Sequence, residues 1–337
     1  MRRILITKKM VQWADEYAAE LNKKHGNYNT PEKGLDVLYN KIPTAYSKHR
    51  EYVKAIKDSH KTIVTLHPSQ FDVWYDKLNF WSSRKTCEAA MKQKITELGE
   101  DEFYKYVIEA MRYDYAQKQL MPKYIDKMQI KACVYCNAQY AVTTDELIKY
   151  DKNGNVIGKS RRYAHYELDH FKAKSYYPFL CTSFFNLFPS CSSCNKHKSD
   201  DDSLFCLYTD DPKELDVLQF ILLPDSVLEY QKSFDCNDLK IHLETLTSSD
   251  DVLKNHQQRF HIDEVYNHHR DVAGEAVCHH MMHNTAYMES LKEAFNDAFP
   301  DEVTPDLDIL FWGHHLNPDD THKRPLNKLV SDVSKTL

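Results

Sequence analysis

Apolar residues recur with a helical period along most of the chain. Met10, Trp13, Ala14, Tyr17 and Leu21 share one face of a predicted helix. Thr30-Pro31-Glu32 marks a helix start, with a hydroxyl cap and proline at the first helical position. Pro68 opens another helix, on which Phe71, Trp74, Tyr75, Leu78 and Trp81 fall on one side. Phe103, Tyr104, Val107, Ile108 and Met111 mark a further one. Aromatic stripes at this period read as core rather than as base-stacking platforms. From about 263 to 299 the pattern predicts one long helix, with Tyr266, Ala273, Val277, Asn284, Met288, Leu291 and Phe295 able to share a face. Pro300, Pro305 and Pro318 break up the remainder, before a short final helix over 325–337.

Between 133 and 198 the period changes. Residues 146–150 and 155–170 read as two strands around Asp151-Lys152-Asn153-Gly154, where Asn-Gly signals a tight hairpin. Asn195-Lys196-His197-Lys198 reads as the first turn of a helix, and 240–246 as a further strand. The expected class is α+β and mainly helical. A small core over 131–205 sits between an N-terminal helical region, 1–130, and an acidic, mainly helical region, 206–337.

Composition narrows the classes. With 42% hydrophobic and 12% aromatic residues the chain is neither disordered nor low-complexity. No apolar run approaches the ~18 residues of a membrane span. No signal-peptide core follows the opening MRRILITKKM, so the expected location is cytoplasmic and no membrane partner is expected. The 7 glycines stand at 26, 34, 99, 154, 158, 274 and 313, too dispersed for a phosphate-cradling loop or a dinucleotide fingerprint. If a nucleotide gates activity, a partner supplies that site. The net charge of −6 conceals an asymmetry. Residues 1–198 hold 33 Lys+Arg against 22 Asp+Glu, +11, and residues 199–337 hold 11 against 28, −17. A solvated acidic half is the plain interpretation; a polyanion meeting the first half is the sharper one.

Nine cysteines without an export signal argue against a disulfide scaffold. Cys87, Cys181, Cys206, Cys236 and Cys278 are scattered and read as small buried hydrophobes. The other four form two CxxC knuckles, Cys133-Val-Tyr-Cys136 and Cys191-Ser-Ser-Cys194, separated by 54 residues. Four thiolates so paired suit one tetrahedral structural Zn²⁺. Within the spacer lie Glu167-Leu168-Asp169-His170 and Asn186-Leu187-Phe188-Pro189.

The succession CVYC, ELDHF, NLFPSCSSCNKHK, over about 65 residues, resembles the zinc-bound HNH endonucleases, whose catalytic unit is the ββα-metal fold. That resemblance implies a phosphodiester hydrolase. His170 would be the general base for water, Asp169 a ligand of one divalent cation, and Asn186 the group that orients the imidazole. The third position of the motif carries Asn195 where many members have His. An amide oxygen there favours Mg²⁺ or Mn²⁺. His197, two residues on, is the alternative ligand, and Glu167, on the Asp169 face of a strand, a supporting group. Lys172, Lys174, Lys196, Lys198, Arg161 and Arg162 flank the motif as expected phosphate contacts. The helical arms and the ending RPLNKLVSDV resemble larger HNH proteins encoded beside an ATPase in bacterial anti-phage systems of Septu type. This implies DNA as substrate and an ATPase as partner protein. Two alternatives use the same residues: a non-catalytic zinc module that binds nucleic acid, and a toxin cleaving RNA or tRNA. His279 and His283 stand at i and i+4 but lack the Glu of a metalloprotease, and no metal-site motif in the sequence includes His314-His315.

Overall fold

The computed structural model describes residues 1–24, 29–78, 103–146, 150–155, 157, 161–201, 203–246, 250–282, 285–298 and 307–337. Trp81, Cys87, His283, Asn284, Pro300 and Pro305 lie outside the described residues. The described chain is mainly helical, with its strands confined to two-stranded sheets, so the α+β, mainly helical class holds. Its contacts separate into two units, Leu5–Met128 with Val142–Pro212, and Met1–Ile4 with Gln129–Ala141 and Lys213–Leu337.

The first of these begins with the helix Lys8–Leu21, capped by the Thr7 hydroxyl, which accepts from the Met10 N–H. Met10, Ala14, Tyr17 and Leu21 are buried as the periodicity predicts. Thr30 likewise accepts from the Lys33 N–H and opens Pro31–Lys41. That helix and Phe103–Ala110 approach so closely that a Cβ on Gly34 would collide with the Ala110 carbonyl oxygen. Tyr17, Tyr124 and Phe184 pack edge to face with centroids 5.5–5.7 Å apart. The Tyr17 hydroxyl donates to the Thr182 carbonyl at 3.1 Å. The helical core thereby holds the 182–184 backbone, close in sequence to Cys181 and Asn186.

The predicted 155–170 strand is two strands with different partners. Thr143–Glu146 pairs antiparallel with Arg161–Ala164, and a bend at 165–166 comes next. Glu167–His170 then pairs antiparallel with Leu187–Ser190, Glu167 opposite Ser190 and His170 opposite Leu187. Alternation along a single segment is blind to this exchange of partner. Leu187–Ser190 is buried at every position and needs a strand beside it to satisfy its backbone. A helix, Ser192–Lys198, comes directly after it, so Asn195–Lys198 is its last turn and not its first.

In the other unit, Leu218–Leu222 pairs with Ile241–Thr245, as the expected strand over 240–246 requires. The final helix runs Asn327–Thr336. Its Lys328 and Asp332 form a buried ion pair at 2.8 Å, and Asp332 also accepts from the Phe220 N–H at 2.9 Å. The predicted single helix over 263–299 is interrupted by a tight 3₁₀ turn at Asn267–His269, between the helices Ile262–Tyr266 and Arg270–Met282, and Thr285–Ala298 is helical as expected. Asn and His are poor helix formers, and their three-residue run falls where the regular turn is lost.

Several histidines are buried with their rings held neutral. Burial pushes His60 and His322 down to about 4 and His256 to about 3. An unfolded chain takes up these protons near pH 6.5, so it binds more protons than the native state below that value. Stability is therefore full, for these groups, above about pH 6.5 and falls as the pH drops toward 4. Each ring is expected to cost on the order of 1–2 kcal/mol by pH 5. Chemical denaturation at pH 7 and pH 5 measures this, and equal midpoints would contradict it.

Candidate functional site

Glu167–His170 alternates its side chains across the strand, with Glu167 and Asp169 on one face. Two contacts bind the 192–198 helix to that face. The Asn195 amide donates through Nδ2 to the Glu167 carboxylate. Lys198 Nζ lies 3.3 Å from Asp169 Oδ2 and donates to the His170 carbonyl at 2.7 Å. Asn195 and Lys198 stand at i and i+3, hence on one side of the helix, and Lys196 and His197 between them are exposed. The Lys198 side chain has 0% of its surface exposed and that of Asp169 has 7%. The expectation that Lys198 contacts phosphate is corrected: it is an interior charge, opposite Asp169. Of the other expected cations, Lys172 pairs with Asp72 at 2.8 Å and Arg162 with Asp145 at 2.9 Å.

The His170 ring is buried. Its Nε2 lies 3.1 Å from the Cys181 carbonyl oxygen. A carbonyl only accepts, so Nε2 carries the proton and Nδ1 keeps a lone pair. Tyr113 packs on the ring with centroids 4.9 Å apart and donates to the Leu168 carbonyl at 3.4 Å. Burial first, then the Lys174 ammonium, pushes His170 down to about 3, against the opposing effect of the Cys181 hydrogen bond. The imidazole is thus neutral across the physiological range.

Asn186 is wholly buried. Its Oδ1 accepts from the Lys172 N–H at 2.8 Å, and its Nδ2 donates to the Lys172 and Leu180 carbonyls, both at 3.1 Å. The amide is spent on backbone at both ends of the 172–180 loop. That loop runs straight into Cys181, whose carbonyl meets His170.

The two knuckles differ in construction. Cys133 and Cys136 lie in a turn closed by the Ala132–Tyr140 bridge. Asn137 is left-handed there, φ 52°, a conformation Asn tolerates better than most residues. Its N–H donates to the Cys133 carbonyl at 2.8 Å, and its side chain donates to Thr321 and accepts from the Lys328 N–H. The Tyr266 hydroxyl donates to the Cys136 carbonyl at 2.7 Å. In the second knuckle Cys191 is the N-cap of the 192–198 helix and Cys194 stands in its first turn, where orphan N–H groups favour anionic sulfur. The sulfurs of Cys133, Cys136, Cys191 and Cys194 all lie within 4.8 Å of one another and could hold a metal ion. A tetrahedral ion with bonds of about 2.3 Å needs sulfurs roughly 3.8 Å apart, which falls inside that limit. Among the described residues no other group of three or more Cys, His, Asp or Glu side chains converges in this way. His279 packs against Trp312 instead, with centroids 5.5 Å apart.

Sequence reasoning missed three participants. The i, i+3 relation to Asn195 was a usable signal for Lys198. Tyr113 and the Cys181 carbonyl reach His170 through tertiary folding and left no local trace. Searches against family models, curated proteins and solved structures match nothing to this chain.

Two outcomes are expected. Native mass spectrometry of the purified protein should find a metal ion that Cys194→Ser loses; an ion retained by the variant would refute the four-sulfur centre. Lys198→Met should cost about 3–5 kcal/mol in denaturant unfolding, because it strands a buried carboxylate. Adding Asp169→Asn should recover part of that loss.

Proposed function

We propose that this chain is a metal-dependent nuclease of the HNH type that hydrolyses phosphodiester bonds in DNA. One observation carries the reading. An acidic–histidine pair, Asp169-His170, ends a strand whose antiparallel partner leads directly into a helix, and that helix begins on the second CxxC and bears Asn195. In this reading the succession from Glu167 to Lys198 is the ββα-metal unit, and the four cysteines hold a structural Zn²⁺, for which a tetrathiolate set is well suited.

Hydrolysis needs water deprotonated in line with the leaving oxygen and positive charge beside the phosphate. His170 accepts the proton from water at Nδ1, with Nε2 held by the Cys181 carbonyl. A ring so reluctant to be charged gains from the phosphate, whose negative charge stabilises the imidazolium as it forms. Asn186 orients the ring indirectly, by fixing the loop that delivers Cys181. Asp169 and Asn195 offer the oxygen donors that suit Mg²⁺ or Mn²⁺, and Glu167 sets the Asn195 amide. When bound, that ion supplies charge compensation at the phosphate and leaving oxygen. The resemblance to HNH proteins encoded beside an ATPase extends the proposal to an anti-phage effector controlled by an ATPase partner.

A second reading is a zinc module that binds nucleic acid without cutting it. One contact favours it: Lys198 already compensates the charge of Asp169. The two separate on cleavage of plasmid, linear single-stranded DNA and tRNA with Mg²⁺, by wild-type and His170→Ala protein in parallel. The nuclease reading expects cleavage to fall about 10²–10⁴-fold in the variant while binding persists. Unchanged cleavage by His170→Ala sinks the assignment.

A further inference from the structure

The Tyr113 ring that packs on His170 is also a wall of a cavity of about 730 Å³. The cavity is built from the Pro31–Lys41 and Phe103–Ala110 helices, the turn at 112–115 and Lys174. Its lining has a distinct chemistry. Tyr104 and Tyr106 join Tyr113 as aromatic surface, and the ammonium groups of Lys41, Lys105 and Lys174 outnumber the carboxylates of Glu109 and Asp114. Lys174 Nζ stands 4.7 Å from the Tyr113 ring centroid, and its charge is felt at His170. Aromatic faces stack on any base, and lysines meet the phosphates between bases. The volume lies within the range of small-ligand sites and is ample for one nucleotide.

We propose that this cavity receives one unpaired nucleotide of the strand whose phosphate lies at His170, so that the protein selects single-stranded or locally opened nucleic acid. The proposal rests on the nuclease reading for the identity of the neighbouring phosphate. A base inside a duplex is stacked and paired, and must leave the helix before it can enter such a pocket.

The test is fluorescence anisotropy of labelled oligothymidylate, free or annealed to oligoadenylate, with the full-length protein and no added divalent ion. The single strand should bind roughly 10-fold more tightly than the duplex, the worth of one stacked base. Tyr106→Ala should remove roughly that factor for the single strand, and Tyr106→Phe should restore it. Lys105→Glu, at an exposed position, should weaken single-strand binding most at low salt. Equal affinity for the two forms overturns the proposal, as does a Tyr106→Ala protein with an unchanged melting curve and unchanged single-strand binding. Displacement of the strand by thymidine monophosphate at matched concentration overturns the strand as occupant in favour of a free nucleotide. Binding is read without cleavage, so the two readings fail separately. Strand-selective binding without Mg²⁺-dependent cutting defeats the nuclease reading alone, and cutting without strand preference defeats this one alone.

Discussion

A lysine with no exposed side-chain surface needs an anion beside it, and Lys198 has Asp169. That pair ties the last turn of a seven-residue helix to the strand carrying the candidate catalytic histidine. A helix this short has little stability of its own, because nucleation is costly and few bonds repay it. Its position comes from what it touches: the ammonium on Asp169 and on the His170 carbonyl, and the Asn195 amide on Glu167. All three contacts depend on the strand ending at a particular register against Leu187–Ser190. A slip of one residue would turn Asp169 and Glu167 away from the helix and leave both charges stranded.

The same economy governs the loop between the two strands. Buried backbone that belongs to no sheet must find side-chain partners. Asn186 makes three such bonds, to Lys172 and Leu180, while the Tyr17 hydroxyl takes the Thr182 carbonyl. With its neighbours so held, the Cys181 carbonyl has a fixed direction, and the His170 tautomer is set by it. The histidine's chemistry is thus governed by residues up to 153 positions away in the chain, through hydrogen bonds that are individually modest.

The legible part of the sequence was local. The helix start at Thr30 comes from cap chemistry, and the burial of Met10, Ala14, Tyr17 and Leu21 comes from period. The four cysteines announce themselves by spacing, and their convergence matches the expectation of one metal centre. The failures share a cause. Alternation from 155 to 170 says that strands are present and is silent on partners, so the exchange at 165–166 was hidden. Charge at Lys198 predicts exposure unless the face of the helix is known, and that face depends on where the helix begins. A start at Ser192 rather than Asn195 turns the lysine inward.

The buried ammonium also constrains the proposed chemistry. A carboxylate repays the desolvation of one cation well and of two cations on the same oxygens poorly, because the cations repel each other in a medium of low dielectric. A divalent ion at Asp169 therefore meets Lys198 as a competitor or drives it back onto the His170 carbonyl, which it already contacts at 2.7 Å. By linkage, whatever free energy the Lys198–Asp169 contact loses when the ion binds is subtracted from the affinity for the metal. Such an arrangement keeps the site assembled before the ion arrives. It also makes metal binding depend on what else brings negative charge to the site, and a phosphodiester strand brings a full unit at every phosphate.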